Sequence, residues 1–172
     1  MSAVRAAGSQ VESTASLADA ISDLGMPLYG HQTPDGYSMK SEAWNNTAAL
    51  VSRMNFALAL STNRVVGVST DFNALLGGES ANMTPEEKDS TLESALLHVP
   101  VSPRTQKLIL TQTSGEEKQQ VKDLRQVPVV GGKRDALAVR TTQKRPQDPA
   151  TMDTQAALAS GLIFGSPEFQ RR

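Results

Sequence analysis

Short apolar stripes at helical spacing, closed by glycine or proline, are the strongest structural signal in this 172-residue sequence. Leu17, Ile21 and Leu24 follow the i, i+4, i+7 spacing of an amphipathic helix, and Gly25 marks its end. Residues 65–68 form a short β-branched run, but because a single strand has no partner we interpret it as an extended loop. The pattern predicts an all-α chain that is mainly helical and has long irregular loops.

The strongest helical pattern lies between residues 45 and 60, where Asn46 or Thr47 can cap a helix. We expect this helix to end near Thr62 and Asn63. Its apolar face consists of Leu50, Met54, Ala57 and Leu58, widened by Val51 and Phe56.

A second clear helix start lies at Thr84, where Thr84, Pro85 and Glu87 match a capping box. We expect the helix to run to about His98 and to direct three leucines inward, namely Leu92, Leu96 and Leu97. Its early turns carry four acidic residues, which the helix dipole explains without catalysis: Glu86, Glu87, Asp89 and Glu93.

Three further stretches predict helices. Residues 2–7 resemble the last turns of a helix, with Gly8 just past its end. Residues 103–113 follow a Ser-Pro start signal, and we expect them to bury Leu108 and Ile109. Residues 152–164 are rich in alanine, leucine and isoleucine and predict the last helix.

The loop of residues 26–44 contains both tyrosines and the only tryptophan of the chain. Within it, residues 33–36 have the composition of a β-turn. One interpretation is that the aromatic side chains pin an irregular loop onto neighbouring helices. The other is that they bind a ring-shaped ligand such as a sugar, and the candidate binding residues are then Tyr29, His31, Asp35, Tyr37 and Trp44.

Neither a metal site nor a set of catalytic residues is predicted. His31, Asp35 and His98 could meet in space, but nothing in their spacing requires it, and a metal ion needs three or four ligands. No nucleophile elbow and no phosphate-binding loop is present, since residues 130–134 lack the full P-loop pattern. We therefore predict no metal, no cofactor and no catalytic residue.

The charges separate along the chain. Residues 1–117 hold seven basic and thirteen acidic residues, a net charge of −6, whereas residues 118–145 hold eight basic and two acidic residues, a net charge of +6. Apolar residues also lose their period after residue 113. We therefore divide the chain into a helical region at 1–113, a basic flexible insertion at 114–150, and a C-terminal helix and tail at 151–172.

Composition excludes several classes of protein. The chain has no cysteine, so it holds no disulfide, thiolate metal site or cysteine nucleophile. Its net charge of −1 argues against a strongly basic nucleic-acid binder. No apolar run approaches the roughly 18 residues of a transmembrane helix. The first residues lack the pattern of a secretory signal, so the sequence as given would stay in the cytoplasm, but it does not determine where the protein is located.

Residues 25–37, Trp44 and residues 53–56 together resemble the C-terminal region of a bacterial family, domain of unknown function eighteen-hundred. Residues 2–6 and 166–172 are similar to its pattern as well. The resemblance covers residues 1–113 and 151–172, whereas residues 114–150 are longer and more basic than the pattern. Family members are longer, largely helical and often exported. The resemblance therefore implies a C-terminal fragment with an incomplete domain, and it supplies no catalytic residue.

These observations favour a non-enzymatic structural or interaction module. Its partner would be the missing N-terminal part of its own family domain or another protein, because a fragment exposes helix faces that are normally covered. The alternative is a carbohydrate-binding or hydrolytic site centred on the loop of residues 29–44.

Overall fold

The computed structural model describes residues 1–25, 27, 29–40, 47–78, 82–97, 101–113, 129–131 and 153–170. Helices dominate these residues, which confirms the predicted mainly helical fold class. The elements in chain order are α1 Ser2–Ala6, β1 Gln10–Val11, α2 Thr14–Asp23, α3 Thr47–Ser61, β2 Val68–Ser69, α4 Phe72–Leu75, α5 Pro85–Leu97, α6 Pro103–Thr113, α7 Thr154–Gly165 and α8 Pro167–Gln170.

Helix α7 is the centre of the fold. It carries no charged residue, and it packs against α3, α5, α6, α4 and α8. A helix that is apolar on all sides is stable only when it is surrounded. Most of its side chains are accordingly buried, including Ala156, Ala159, Ser160, Ile163 and Phe164.

Glycines in α7 allow α3 to approach closely. A Cβ atom at Gly161 would lie 2.8 Å from Ser61 Oγ and 2.9 Å from a methyl carbon of Leu58, and one at Gly165 would overlap the Met54 sulfur. The two helices are thus antiparallel and nearly in backbone contact. A larger residue at Gly161 requires the side chains of Ser61 and Leu58, or α3 itself, to move.

Only the second half of α3 is buried, so its predicted apolar face is partly wrong. Phe56, Ala57 and Leu60 are buried, but Leu50 is 44% and Val51 54% exposed. The reason is that α7 ends beside Met54, so the first turn of α3 extends past its cover. Of the two predicted caps, Asn46 lies outside the described part of the chain, and Thr47 is the first residue of the helix.

The interpretation of residues 65–68 as an unpaired loop is wrong. Strand β2 pairs antiparallel with β1, with Val11 opposite Val68. Val65 also forms a parallel bridge with Val130, and the Val130 amide donates to the Arg64 carbonyl at 3.0 Å. The partners lie far away in the sequence, so no local pattern could indicate them.

Residues 129–131 are the described part of the segment predicted as a basic insertion. Besides the bridge at Val130, a Cβ atom at Gly131 would lie 2.8 Å from the Ser16 carbonyl of α2. These three residues are therefore packed against the helical region. The rest of 114–150 lies outside the described residues, so its flexibility stays a prediction.

The predicted helix ends are confirmed where the signals are local. At the end of α3, Asn63 has a positive φ of 54°, and the Arg64 amide donates to the Ala59 carbonyl at 2.7 Å. In the side chain of Asn63, Oδ1 accepts from the Thr70 amide at 2.7 Å and Nδ2 donates to the Thr70 carbonyl at 2.9 Å. This asparagine both ends α3 and fixes the chain that follows β2.

The capping box at the start of α5 is also confirmed. The Glu87 amide donates to Thr84 Oγ1 at 3.3 Å, and the Thr84 amide donates to Glu87 Oε2 at 2.7 Å. The three leucines predicted to point inward are fully buried: Leu92, Leu96 and Leu97. In α6, Ile109 is buried as expected, whereas Leu108 is 57% exposed because it lies on the side that faces away from α5 and α7.

No helix in the described part of the chain has the length and the apolar character needed to cross a membrane.

Candidate functional site

The loop of residues 29–40 is tied to its own beginning. Tyr37 Oη donates a hydrogen bond to the Pro27 carbonyl at 2.9 Å, and the Gly30 amide donates to the same carbonyl at 3.0 Å. The Gly36 amide donates to the Thr33 carbonyl at 3.4 Å, and Gly36 has a φ of 73°. The predicted β-turn at residues 33–36 is therefore present, and the Tyr37 hydroxyl helps to close the loop.

His31 and Tyr37 are in contact inside this loop. Their ring centroids lie 4.8 Å apart at an interplanar angle of 72°, an edge-to-face arrangement. His31 Nδ1 lies 3.3 Å from the Thr33 amide nitrogen, 3.0 Å from Thr33 Oγ1 and 3.1 Å from the Thr33 carbonyl oxygen. This nitrogen is engaged within the loop in either tautomer, whereas Nε2 is the nitrogen that remains for an external group.

The other candidate binding residues are placed differently. Tyr29 is fully exposed and has a positive φ of 57°, and Asp35 is exposed in the β-turn. Trp44 lies outside the described residues. Of the five candidates, the structure therefore brings together His31 and Tyr37.

Large apolar side chains are exposed before and at the start of α3. Met39, in the same loop, is fully exposed, and Leu50 and Val51 are about half exposed. We name Tyr29, Met39, Leu50 and Val51 the apolar contact set. Sequence reasoning had placed Leu50 and Val51 on a helix face and had not considered Met39, since a single methionine in a loop carries no pattern.

A second group of polar residues is buried between α5, α6 and α7. Asp89 is 2% and Glu93 7% exposed, one helical turn apart on α5. Asp89 Oδ2 accepts a hydrogen bond from Thr113 Oγ1 of α6 at 3.0 Å. The dipole interpretation holds for the exposed Glu86 and Glu87, but it is wrong for this buried pair.

Burial governs the protonation of these acids. It raises the pKa of Asp89, which hydrogen bonds from Thr113 and Gln155 only partly oppose. Burial also raises the pKa of Glu93, and the negative charge of Asp89 raises it further. In contrast, the hydrogen bond from the Thr84 amide lowers the pKa of the exposed Glu87. Perturbed acids of this kind occur both at functional sites and in structural networks.

A groove of about 480 Å³ lies between the first turn of α5 and one side of α6. Its walls include Pro85 and Glu86 on α5 and Lys107 and Leu110 on α6, and Thr113 lies in the same lining. The volume falls within the usual range of ligand pockets, but the walls supply a single acid and a single base. Nothing in this lining converges on a reacting atom.

A smaller cleft of about 160 Å³ lies between α2, α3 and the segment at residues 129–131. Asp23, Ser52 and Asn55 supply its polar groups. It is below the usual size of a pocket for an organic ligand.

The described residues contain no group of three histidine, cysteine, aspartate or glutamate side chains that could hold a metal ion. His98, the third member of the predicted possible trio with His31 and Asp35, lies outside the described residues. The candidate sites are therefore the aromatic loop with the apolar contact set and the buried acidic pair.

Comparison with known proteins gives one match. The model of the family described as a protein of unknown function, DUF1800, matches residues 1–171, a range that also spans the basic segment. Neither a curated protein nor a solved structure matches the sequence. The family resemblance of the aromatic loop is thereby confirmed, and the chain belongs to the DUF1800 family.

Proposed function

We propose that this chain is a non-enzymatic interaction module, and that residues of the apolar contact set meet its partner. The carrying observation is exposure: Tyr29 and Met39 are fully exposed, and Leu50 and Val51 are about half exposed. Aromatic residues and methionine are enriched in protein interfaces, and burying one such side chain contributes about 1.5–3 kcal/mol.

The position of Leu50 and Val51 indicates what kind of partner fits. Helix α7 covers α3 from Ser61 back to Met54 and then ends. The apolar side of α3 continues for one more turn beyond the part that α7 covers. A helical partner that lay end to end with α7 would cover this turn. The partner that the family resemblance implies is the upstream helical part of a longer family member.

The test is association in solution. The chain is expressed together with the upstream region of a longer family member, and co-purification is quantified. We expect the double variant Leu50→Ser with Val51→Ser to reduce association at least tenfold while the circular dichroism spectrum and the melting temperature stay unchanged. Leu108→Ser is the matched control, because Leu108 is equally exposed but lies on α6. Equal association of all three proteins would contradict the proposal.

A carbohydrate-binding loop is the second candidate. The observation that favours it is the Tyr29 ring, which is fully exposed beside the His31–Tyr37 pair in sequence and is therefore free to stack on a sugar face. A glycan array separates the two functions. Glycan binding that is lost in Tyr29→Ala but kept in Leu50→Ser would favour the sugar site. No glycan binding, together with partner association that is lost in Leu50→Ser, would favour the interaction module.

A further inference from the structure

The buried acids of α5 share one face of the helix with its core leucines. Asp89 and Glu93 are four residues apart and therefore lie one above the other on α5. Leu92 and Leu96 belong to the same buried stripe. The two carboxyl groups are thus placed where α5 packs against its neighbours, rather than on the solvent side.

The hydrogen bonds around this pair are incomplete. Asp89 Oδ2 accepts from Thr113, but Asp89 Oδ1 and Glu93 Oε1 have no hydrogen-bond partner among the described residues. A buried carboxylate is stable only when donors or a cation surround it, so the neutral acid is the form that suits this environment.

The charges on the neighbouring elements do not favour ionisation of this pair. Helix α7 carries no charged residue, and α6 reaches Asp89 through the uncharged Thr113. On α5 itself Lys88 favours the charged form of Asp89, but its Nζ is bound to Asp153 Oδ2 at 2.7 Å. Glu86 opposes ionisation of Asp89, as Asp89 opposes that of Glu93. The remaining charged groups on packed elements are Arg5 and the amino terminus on α1, and Arg104 and Lys107 on α6.

We propose that Asp89 and Glu93 form a proton-dependent clasp, which holds α5 fully against α6 and α7 only while the pair retains at least one proton. When both groups ionise, two like charges lie one helical turn apart on the buried face of α5, and α5 loosens. The loosened helix exposes Leu92 and Leu96, so the device links pH to the exposure of apolar surface. The clasp does not rest on the apolar contact set, which lies at residues 29–51 of the chain.

Hydrogen exchange measured by mass spectrometry tests the clasp on the unmodified chain. Peptides from α5 and α3 are compared at several values between pH 4 and pH 9, with labelling times scaled to equal chemical exchange. We expect the protection of α5 amides to fall by up to about tenfold per pH unit for each proton released. The α3 peptides serve as the internal control, and their protection is expected to change less.

Three single variants locate the effect. Glu93→Gln and Asp89→Asn keep the shape of the side chain without its charge, and each is expected to weaken the pH dependence of α5 protection. Glu12→Gln, which removes an exposed acid that does not affect the pKa of either residue of the pair, is expected to keep it. Constant α5 protection across pH in the unmodified chain would overturn the proposal, as would an equal decline in α3 and α5. The unmodified chain alone decides the matter if a variant fails to fold.

Discussion

Helix α7 meets its two largest neighbours through different chemistry. Against α3 it presents Gly161 and Gly165, and the helices approach so closely that a Cβ atom at Gly161 would lie 2.8 Å from Ser61 Oγ. Against α5 the described contacts include polar ones: Lys88 binds Asp153, and Gln155 Nε2 donates to the Pro85 carbonyl at 3.0 Å. The first interface therefore depends on volume, whereas the second depends on charge and protons.

The largest expected effect on stability is at the interface between α7 and α3. Gly161→Val would place side-chain atoms inside contact distance of Ser61 and Leu58 and force α3 away from α7. We expect the free energy of unfolding to fall by about 3 kcal/mol, at the high end of overpacking effects. Urea unfolding measures it. The loss of stability should be the same at pH 6 and pH 8. A strongly pH-dependent loss would contradict the claim that the interface between α3 and α7 depends on volume rather than on protons.

A smaller effect is expected at the charged start of α7. Asp153 caps the helix, since its Oδ1 accepts from the Ala156 amide at 3.0 Å while Oδ2 binds Lys88. Asp153→Ala should cost about 1.5 kcal/mol, because it removes both the cap and the ion pair. Thermal and urea unfolding check this value.

Asp153→Ser separates the two roles of this residue. Serine can still cap the helix, so the loss is expected to be about 0.5 kcal/mol and to shrink in high salt. Equal losses in the alanine and serine variants would show that the ion pair, rather than the cap, dominates at this end of α7.

Local signals made most helix boundaries predictable. Thr84 and Glu87 form the expected capping box, and Asn63 ends α3 where the sequence indicated. The pairing of β2 with β1 was not predictable, because strand pairing over such a separation leaves no trace in either short segment. Leu50 was assigned to the helix face correctly, but only the position at which α7 ends decides whether that face is covered.

The candidate sites show the same limit. The β-turn at residues 33–36 of the aromatic loop is predictable from its composition, yet the sequence could not indicate that His31 contacts Tyr37 while Tyr29 is exposed. The buried acids had a usable signal. Asp89, Leu92, Glu93 and Leu96 follow the i, i+3, i+4, i+7 spacing of one stripe, so the acids share the face of the leucines.

The contrast between the two interfaces is tested most directly by the free energy of unfolding as a function of pH. Because folding raises the pKa of both acids, the folded chain binds more protons than the unfolded chain. Their contribution to stability is therefore fully present at acidic pH and is lost as pH rises through their pKa values in the folded state. The chain is compared with the double variant Asp89→Asn, Glu93→Gln from pH 5 to pH 9, so that the titration of all other groups cancels in the difference.

The account predicts that the double variant gains stability relative to the unmodified chain as pH rises, by at most about 1.4 kcal/mol per pH unit for each proton released. A difference in the free energy of unfolding between the two proteins that stays constant from pH 5 to pH 9 would contradict this prediction. The packing of α5 would then not depend on protonation, just as the packing of α3 does not.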